Sequence, residues 1–94
     1  MAYVIECTDK ANAIDIRKAN REAHLIYLDS HKDRIIAAGP LLDSAGDGMI
    51  GSLLIMDFDN DADVEAFCSN DPYAKAGLFE KVSFRPWKKV YPAG

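Results

Sequence analysis

The residues with the most to offer chemically stand in one run, Arg17-Lys18-Ala19-Asn20-Arg21-Glu22-Ala23-His24-Leu25. At 3.6 residues per turn, Arg17, Arg21 and His24 fall at i, i+4 and i+7, within about one-sixth of a helix circumference. Ile14, Leu25 and Leu28 share that side. A helix built only for packing places leucines along such a stripe; here two cations and an imidazole occupy it. Burying cations beside an imidazole is costly unless an anion compensates. Internal carboxylates or a bound ligand would do that, and arginine stems that reach out to solvent would avoid the problem. The imidazole brings general acid/base chemistry near neutral pH. The arginines bring donors for carboxylate, phenolate or enolate oxygens.

Asp71 is the second candidate. In Asp71-Pro72-Tyr73 it is a natural N-cap with proline at the first helical position, which is a sufficient structural role. Placed near His24, the same carboxylate would orient the ring and stabilise imidazolium, as the orienting acid does in a catalytic triad. Sequence alone does not bring the two together. Ser52, after Gly51, is either a plain strand serine or a wall hydrogen bond, and no Gly-x-Ser-x-Gly elbow surrounds it. Tyr73 and Trp87 suit either core packing or the wall of a pocket for a planar ligand. His31 sits where a helix should end and suits a capping role. The acidic cluster Asp57, Asp59, Asn60, Asp61 and Asp63 lacks the glycine and the terminal glutamate of a calcium loop, and reads as a solvated turn with a helix cap. No metal-ligand cluster or glycine-rich phosphate loop is present, so no cofactor and no metal is expected.

The elements that must position these residues follow from periodicity and punctuation. Tyr3–Cys7 reads as the first strand, bounded by Thr8-Asp9-Lys10. A helix runs from a cap at Asn12, with Asp9 or Thr8 as alternatives, to about Ser30. Arg34 to Leu42 reads as a second strand broken at Gly39. Asp43–Gly48 is a turn, and Met49–Phe58 a third strand, apolar on consecutive positions at Leu53-Leu54-Ile55-Met56. A short helix begins at Asp59-Asn60-Asp61 and reaches Cys68, with Val64, Phe67 and Cys68 inward. Another helical turn starts at Asp71 and ends near Gly77. Lys81–Tyr91 is the fourth strand, with Pro86 marking a bulge or an edge. The order β-α-β-β-α-β is the ferredoxin-like α+β pattern, a four-stranded antiparallel sheet with helices on one face. Because the third strand is apolar on both faces, a monomer would leave a large apolar patch bare. A homodimer closed through the open sheet faces is therefore expected.

Ninety-four residues make one domain, 1–94, with a modest core. The net charge of −4 and the lack of a basic run argue against a nucleic-acid partner. No stretch approaches the roughly 18 apolar residues that would span a bilayer, and no signal peptide is evident. Cys7 and Cys68 have no metal-like spacing and read as buried free thiols, which suits a cytoplasmic location.

Several short motifs, in this order and spacing, resemble the YCII-related (YciI-like) family along almost the whole chain. They are Tyr3-Val4-Ile5, Arg17…Arg21-x-x-His24-Leu25, Ala38-Gly39-Pro40-Leu41 with Gly51-Ser52, Asp71-Pro72-Tyr73…Ala76-Gly77, and Val82-Ser83-Phe84-Arg85-Pro86-Trp87. The loop between strands 2 and 3 looks somewhat short for the family, which bears on the rim of a pocket. The resemblance implies a dimeric α/β-barrel arrangement and an active site centred on a His–Asp pair, here His24 and Asp71. A related member is a dehydrochlorinase of a chlorinated hydroxyhydroquinone, and muconolactone isomerases share the wider superfamily. Three functions are compatible with these observations. The leading one is a cofactor-independent lyase, isomerase or hydrolase. In it His24 is the acid/base, Asp71 orients it, Arg17, Arg21 and Tyr73 bind substrate, and Ser52 adds a hydrogen bond. The others are a module that binds or senses a small anion, and a stand-alone interaction domain.

Overall fold

Strand β1 (Ala2–Asp9) lies inside the sheet, flanked on one side by β3 (Met49–Asp57) and on the other by β4 (Phe79–Trp87). Strand β2 (Ile35–Leu42) pairs with β3 and closes the order β2-β3-β1-β4, with every neighbour antiparallel. Helix α1 (Ile14–Ser30) links β1 to β2 through a 3₁₀ turn at Lys32–Arg34; α2 (Asp61–Asn70) and the single turn α3 (Pro72–Lys75) link β3 to β4. The computed structural model describes residues 1–93, and they form the expected ferredoxin-like β-α-β-β-α-β fold.

Period-two alternation decides which side chains meet the helices. Along β1, Tyr3, Ile5 and Cys7 are buried, and their β3 partners Met56, Leu54 and Ser52 are buried with them. Phe58, Val64 and Phe67 complete that core, with Tyr27 and Leu28 of α1 packed against it. A second small cluster joins Ala13, Tyr73 and Leu78. The opposite sheet face carries Val4, Leu53, Ile55 and Leu41, which the chain leaves only half-covered.

Local chemistry moved several boundaries from those expected. Asn12 does not cap α1: it sits in the left-handed region at φ 56°, the N-cap is Ala13, and no side-chain hydrogen bond closes that end. Asparagine is tolerated there as a turn residue. Neither alternative serves, since Asp9 lies in β1 and its carboxylate is engaged elsewhere. Strand β2 starts at Ile35, because Arg34 belongs to the 3₁₀ turn, and it runs through Gly39 without a break. Its register shifts fall at Ile35/Ala37 and Leu41/Leu42 instead. Helix α2 is capped by Asn60, whose side chain accepts from the Asp63 N–H, and it extends to Asn70. Strand β4 begins at Phe79 and ends at Trp87 rather than spanning Lys81–Tyr91. Pro86 is indeed on an edge strand, where its missing N–H is harmless. His31 caps α1, its backbone N–H bonded to the Leu28 carbonyl. Among the described residues no helix is long and apolar enough to cross a membrane.

Candidate active site

Among the described residues, four polar or charged ones are buried: Arg17, His24, Ser52 and Asp71. All four were expected site residues, and the fold gathers them at one place. Arg17 and His24 come from the inner face of α1, Ser52 from the inward parity of β3, and Asp71 from the junction of α2 and α3. Three of them line a cavity of ≈ 140 Å³ together with Arg21, Tyr73 and the apolar side chains of Leu25, Leu28, Met49 and Leu54. That is about the volume that holds one benzene-sized ring.

His24 and Asp71 meet across 47 residues of sequence, with Nδ1 of the ring 2.9 Å from Oδ1 of the carboxylate. A carboxylate only accepts, so Nδ1 carries the hydrogen and donates it. The same Oδ1 accepts the backbone N–H of Tyr73 at 2.9 Å, which is the helix-capping bond that Asp71-Pro72 foretold. One oxygen thus fixes both the start of α3 and the tautomer of His24. In the neutral ring Nε2 is then the lone-pair nitrogen, and it has no hydrogen-bond partner among the described residues. No fully enclosed side-chain nitrogen or oxygen lacks a hydrogen bond among the described residues, so Nε2 reaches the open space of the cavity.

The ring of Tyr73 stacks on His24, with centroids 4.0 Å apart and planes within 15°. On its other contacts Tyr73 meets the edge of Phe79 at 6.0 Å and the guanidinium of Arg17, whose Cζ lies 4.8 Å from the ring centroid. Burial pushes the Tyr73 phenol up from its usual range, against the pull of Arg17 and Arg21.

The compensating anion for Arg17 is internal. Asp9 at the end of β1 receives a side-on pair of hydrogen bonds, Nε to Oδ2 at 2.7 Å and Nη2 to Oδ1 at 2.8 Å. Nη2 also donates to Ser52 Oγ at 3.0 Å. Burial alone would lower the guanidinium's pKa, yet the Asp9 carboxylate, with a lesser contribution from Tyr73, outweighs it and the pKa is raised. Asp9 was not anticipated as a site residue. Its signal was its place in β1, where it continues the inward parity of Tyr3, Ile5 and Cys7. Arg21 differs from Arg17 in being exposed and making no hydrogen bond or ion pair with the described residues, while lining the cavity mouth.

Other expectations fall away from the site. Trp87 lies at the end of β4, paired with Ala2, and does not line the cavity. The loop from Asp43 to Gly48 does not contribute either; the wall opposite α1 is made by Ala38, Gly39 and Pro40 of β2. Cys7 and Cys68 are free thiols, Cys7 buried and Cys68 half-buried, and burial pushes them up to about 12 and about 11. Among the described residues no group of three His, Cys, Asp or Glu side chains is placed to hold a metal.

Comparison with known proteins identifies the family and agrees with the fold. The model of the YCII-related domain matches residues 1–88. A protein of Escherichia coli O6:H1 named YciI is 38% identical over 98 residues, covering 97% of this chain and 100% of that one. Among solved structures, the 5-chloro-2-hydroxyhydroquinone dehydrochlorinase of Burkholderia phenoliruptrix AC1100, in complex with 2,5-dihydroxybenzoquinone, superposes with a TM-score of 0.90. It is 37% identical, and the match covers 96% of each chain. An antibiotic biosynthesis monooxygenase superposes at a TM-score of 0.53 with 16% identity over 96% of this chain and 99% of its own, a likeness of fold alone.

Proposed function

The chain belongs to the YCII-related family, and from that premise we propose that it is a small cofactor-independent enzyme whose His24–Asp71 pair performs general acid/base chemistry on a small anionic, enolisable compound. The observation that carries this reading is that, among the described residues, Arg17, His24 and Ser52 are buried around one ring-sized cavity into which the free nitrogen of His24 opens, with Asp71 buried behind the ring. A core built for stability alone would fill that space with apolar side chains. The solved relative at 37% identity is a dehydrochlorinase bound to a dihydroxyquinone, which favours a small-molecule enzyme of the lyase kind.

In this mechanism His24 Nε2 takes a proton from carbon or hydroxyl of the ligand. The imidazolium that forms is stabilised through Nδ1–H by the Asp71 carboxylate. The negative charge left on the ligand develops on an oxygen held by Arg21 and Ser52. The proton then returns to another carbon, giving an isomerase, or accompanies a departing group, giving a lyase; delivery to a water-cleaved bond would give a hydrolase. Tyr73 stacks behind His24 and holds the ring in plane.

Proton abstraction can be read without knowing the product. Enolisable ring acids and hydroxyquinones, 2,5-dihydroxybenzoquinone among them, are incubated with the protein in deuterated water and followed by ¹H NMR. Catalysed exchange at an enolisable position is expected in wild type and absent in His24→Ala. Exchange that persists undiminished in a His24→Ala, Asp71→Asn double variant would refute these roles.

The unpaired Arg21 at the mouth equally supports a module that binds a small anion without chemistry. That reading expects His24→Ala to keep most of its affinity and Arg21→Ala to lose it, with no exchange in any form. We further propose a homodimer closed through the half-covered face of Val4, Leu53 and Ile55, and, from the two free thiols, residence in the reducing cytoplasm. A monomer in sedimentation at micromolar concentration would sink the dimer.

A further inference from the structure

We propose that Asp9, which lies outside the cavity, is a positioning residue that acts through Arg17 to direct the hydrogen of the Ser52 hydroxyl into the cavity. The site thereby favours a ligand that presents a carbonyl or anionic oxygen to Ser52. This rests on the reading of the cavity given above and deepens it.

A guanidinium has donors and no acceptor, so the 3.0 Å contact from Arg17 Nη2 leaves Ser52 Oγ as the acceptor. The hydroxyl has one hydrogen of its own. No acceptor among the described residues takes it, Ser52 is 4% exposed, and its side chain lines the cavity. The hydrogen is therefore directed at whatever fills the cavity. A free serine would offer a lone pair or a hydrogen as the ligand required. Arg17 occupies one of the two lone pairs, and donation to a hydroxyl by a cation strengthens the hydroxyl's own donation. Arg17 can do this because Asp9 grips its other edge at 2.7 and 2.8 Å, both side chains being almost fully buried.

The pair also decides which cation is left for the ligand. Asp9 neutralises Arg17, so of the two arginines lining the cavity Arg21 is the one without a carboxylate partner. An anionic oxygen of the ligand would meet it at the mouth. The inner wall then wants an acceptor rather than an amine.

Two ring probes of similar shape test this, 4-nitrophenolate and 4-nitroaniline, each titrated by its visible absorbance against wild type, Ser52→Ala, Asp9→Asn and the double variant. Wild type should bind the phenolate, and Arg21→Ala should abolish that binding. Ser52→Ala should weaken phenolate binding about tenfold and reduce its advantage over the aniline. Asp9→Asn should weaken it comparably in wild type and have no further effect once Ser52 is alanine. A purely structural Asp9 would move both probes and both backgrounds alike, and that result would overturn the proposal. So would Ser52→Ala that binds and discriminates as wild type does. Should Asp9→Asn fail to fold by circular dichroism, Asp9→Glu, which keeps the charge and displaces it by a methylene, gives the same reading. If wild type binds neither probe, the reading of the cavity falls and this inference falls with it; if wild type binds and only the coupling is missing, the cavity stands and Asp9 loses its role.

Discussion

Removing the Asp9 carboxylate should be among the most damaging single changes this chain can suffer. Asp9 and Arg17 hold each other by two hydrogen bonds, with side chains 5% and 3% exposed. In Asp9→Ala the guanidinium stays buried with no countercharge. Breaking a buried pair by deleting one partner costs about 3–5 kcal/mol, most of it the stranded charge. A domain of this length has a total stability of roughly 5–14 kcal/mol, so about a fifth or more of it would go, and the melting temperature should fall by roughly 15–30 °C. The control is built into the molecule. Asp57 pairs with the terminal ammonium at 2.8 Å, as short as the longer of the two Asp9 contacts, but the two groups are 63% and 60% exposed. Water already solvates both, so Asp57→Ala should scarcely register. Removing both buried partners, as in Asp9→Leu with Arg17→Met, should recover much of the loss because no charge is left stranded. Urea unfolding followed by Trp87 fluorescence measures all four proteins, at one fixed protein concentration because association raises apparent stability. A loss below about 1 kcal/mol for Asp9→Ala, or one no larger than that for Asp57→Ala, would refute the claim that burial and not distance sets the worth of this pair.

Three further outcomes follow from particular positions. A Cβ on Gly51 would stand 2.3 Å from the Cys7 carbonyl oxygen, a backbone atom that cannot yield, whereas one on Gly39 meets nothing within 4 Å. Gly51→Ala should therefore cost about 2 kcal/mol or more and Gly39→Ala under about 0.5 in a monomeric variant, both read by denaturant unfolding. Burial holds the Cys7 thiol to about 12, while the unfolded chain loses that proton near 9. Above pH 9 the unfolded state thus binds fewer protons, and stability, fully present below that point, should fall as pH rises from 9 towards 12. Melting curves across this range should show the decline, and Cys7→Ser or Cys7→Ala should flatten it. Ile55→Asp, on the half-covered sheet face, should leave the fold intact by circular dichroism and halve the sedimenting mass if that face joins two copies.

Much of the fold was legible because its signals are local. The inward alternation of β1, the apolar β3 and the Asp71-Pro72 cap each depend on neighbours within a few residues, and each is found where the chain spells it out. The errors are also local, but of a kind that sequence does not resolve. Asn12 has the composition of a cap and the backbone of a left-handed turn, and the choice between them is made by how β1 delivers the chain to α1. Lys81 looked like a strand start because the apolar alternation shows at Val82 and Phe84, yet the register with β1 carries β4 back to Phe79. For the site, composition announced that Arg17, Arg21 and His24 share a helix face. It did not announce that they divide the work. Arg17 has an internal anion and Arg21 has none, a distinction that rests on Asp9 being brought alongside by the sheet. The meeting of His24 with Asp71 was likewise a question of packing α3 against α1, which no spacing along the chain encodes.

That packing has a consequence for how far function and stability can be separated here. The only fully buried side chains on α1, a helix of 17 residues, are Arg17 and His24. Its larger apolar residues are at best half-covered, and Leu25 and Ile26 are 51% and 65% exposed. Beside the apolar contacts of Ile16, Tyr27 and Leu28, the helix is thus attached to the rest of the molecule through a polar seam: Arg17 to Asp9 and Ser52, His24 to Asp71 and to the face of Tyr73. Polar seams tolerate truncation poorly, since each lost partner strands another buried group. A protein selected only to fold would exchange the seam for leucines at low cost. Retaining it makes sense if the same atoms must do something that leucine cannot, namely hold Nε2 of His24 in one tautomer and one plane, and the Ser52 hydroxyl in one direction, at the edge of a space the size of a single ring. The groups that fasten α1 are the ones that pre-organise the cavity, so rigidity of the site comes from the fold itself and not from a separate lid or loop.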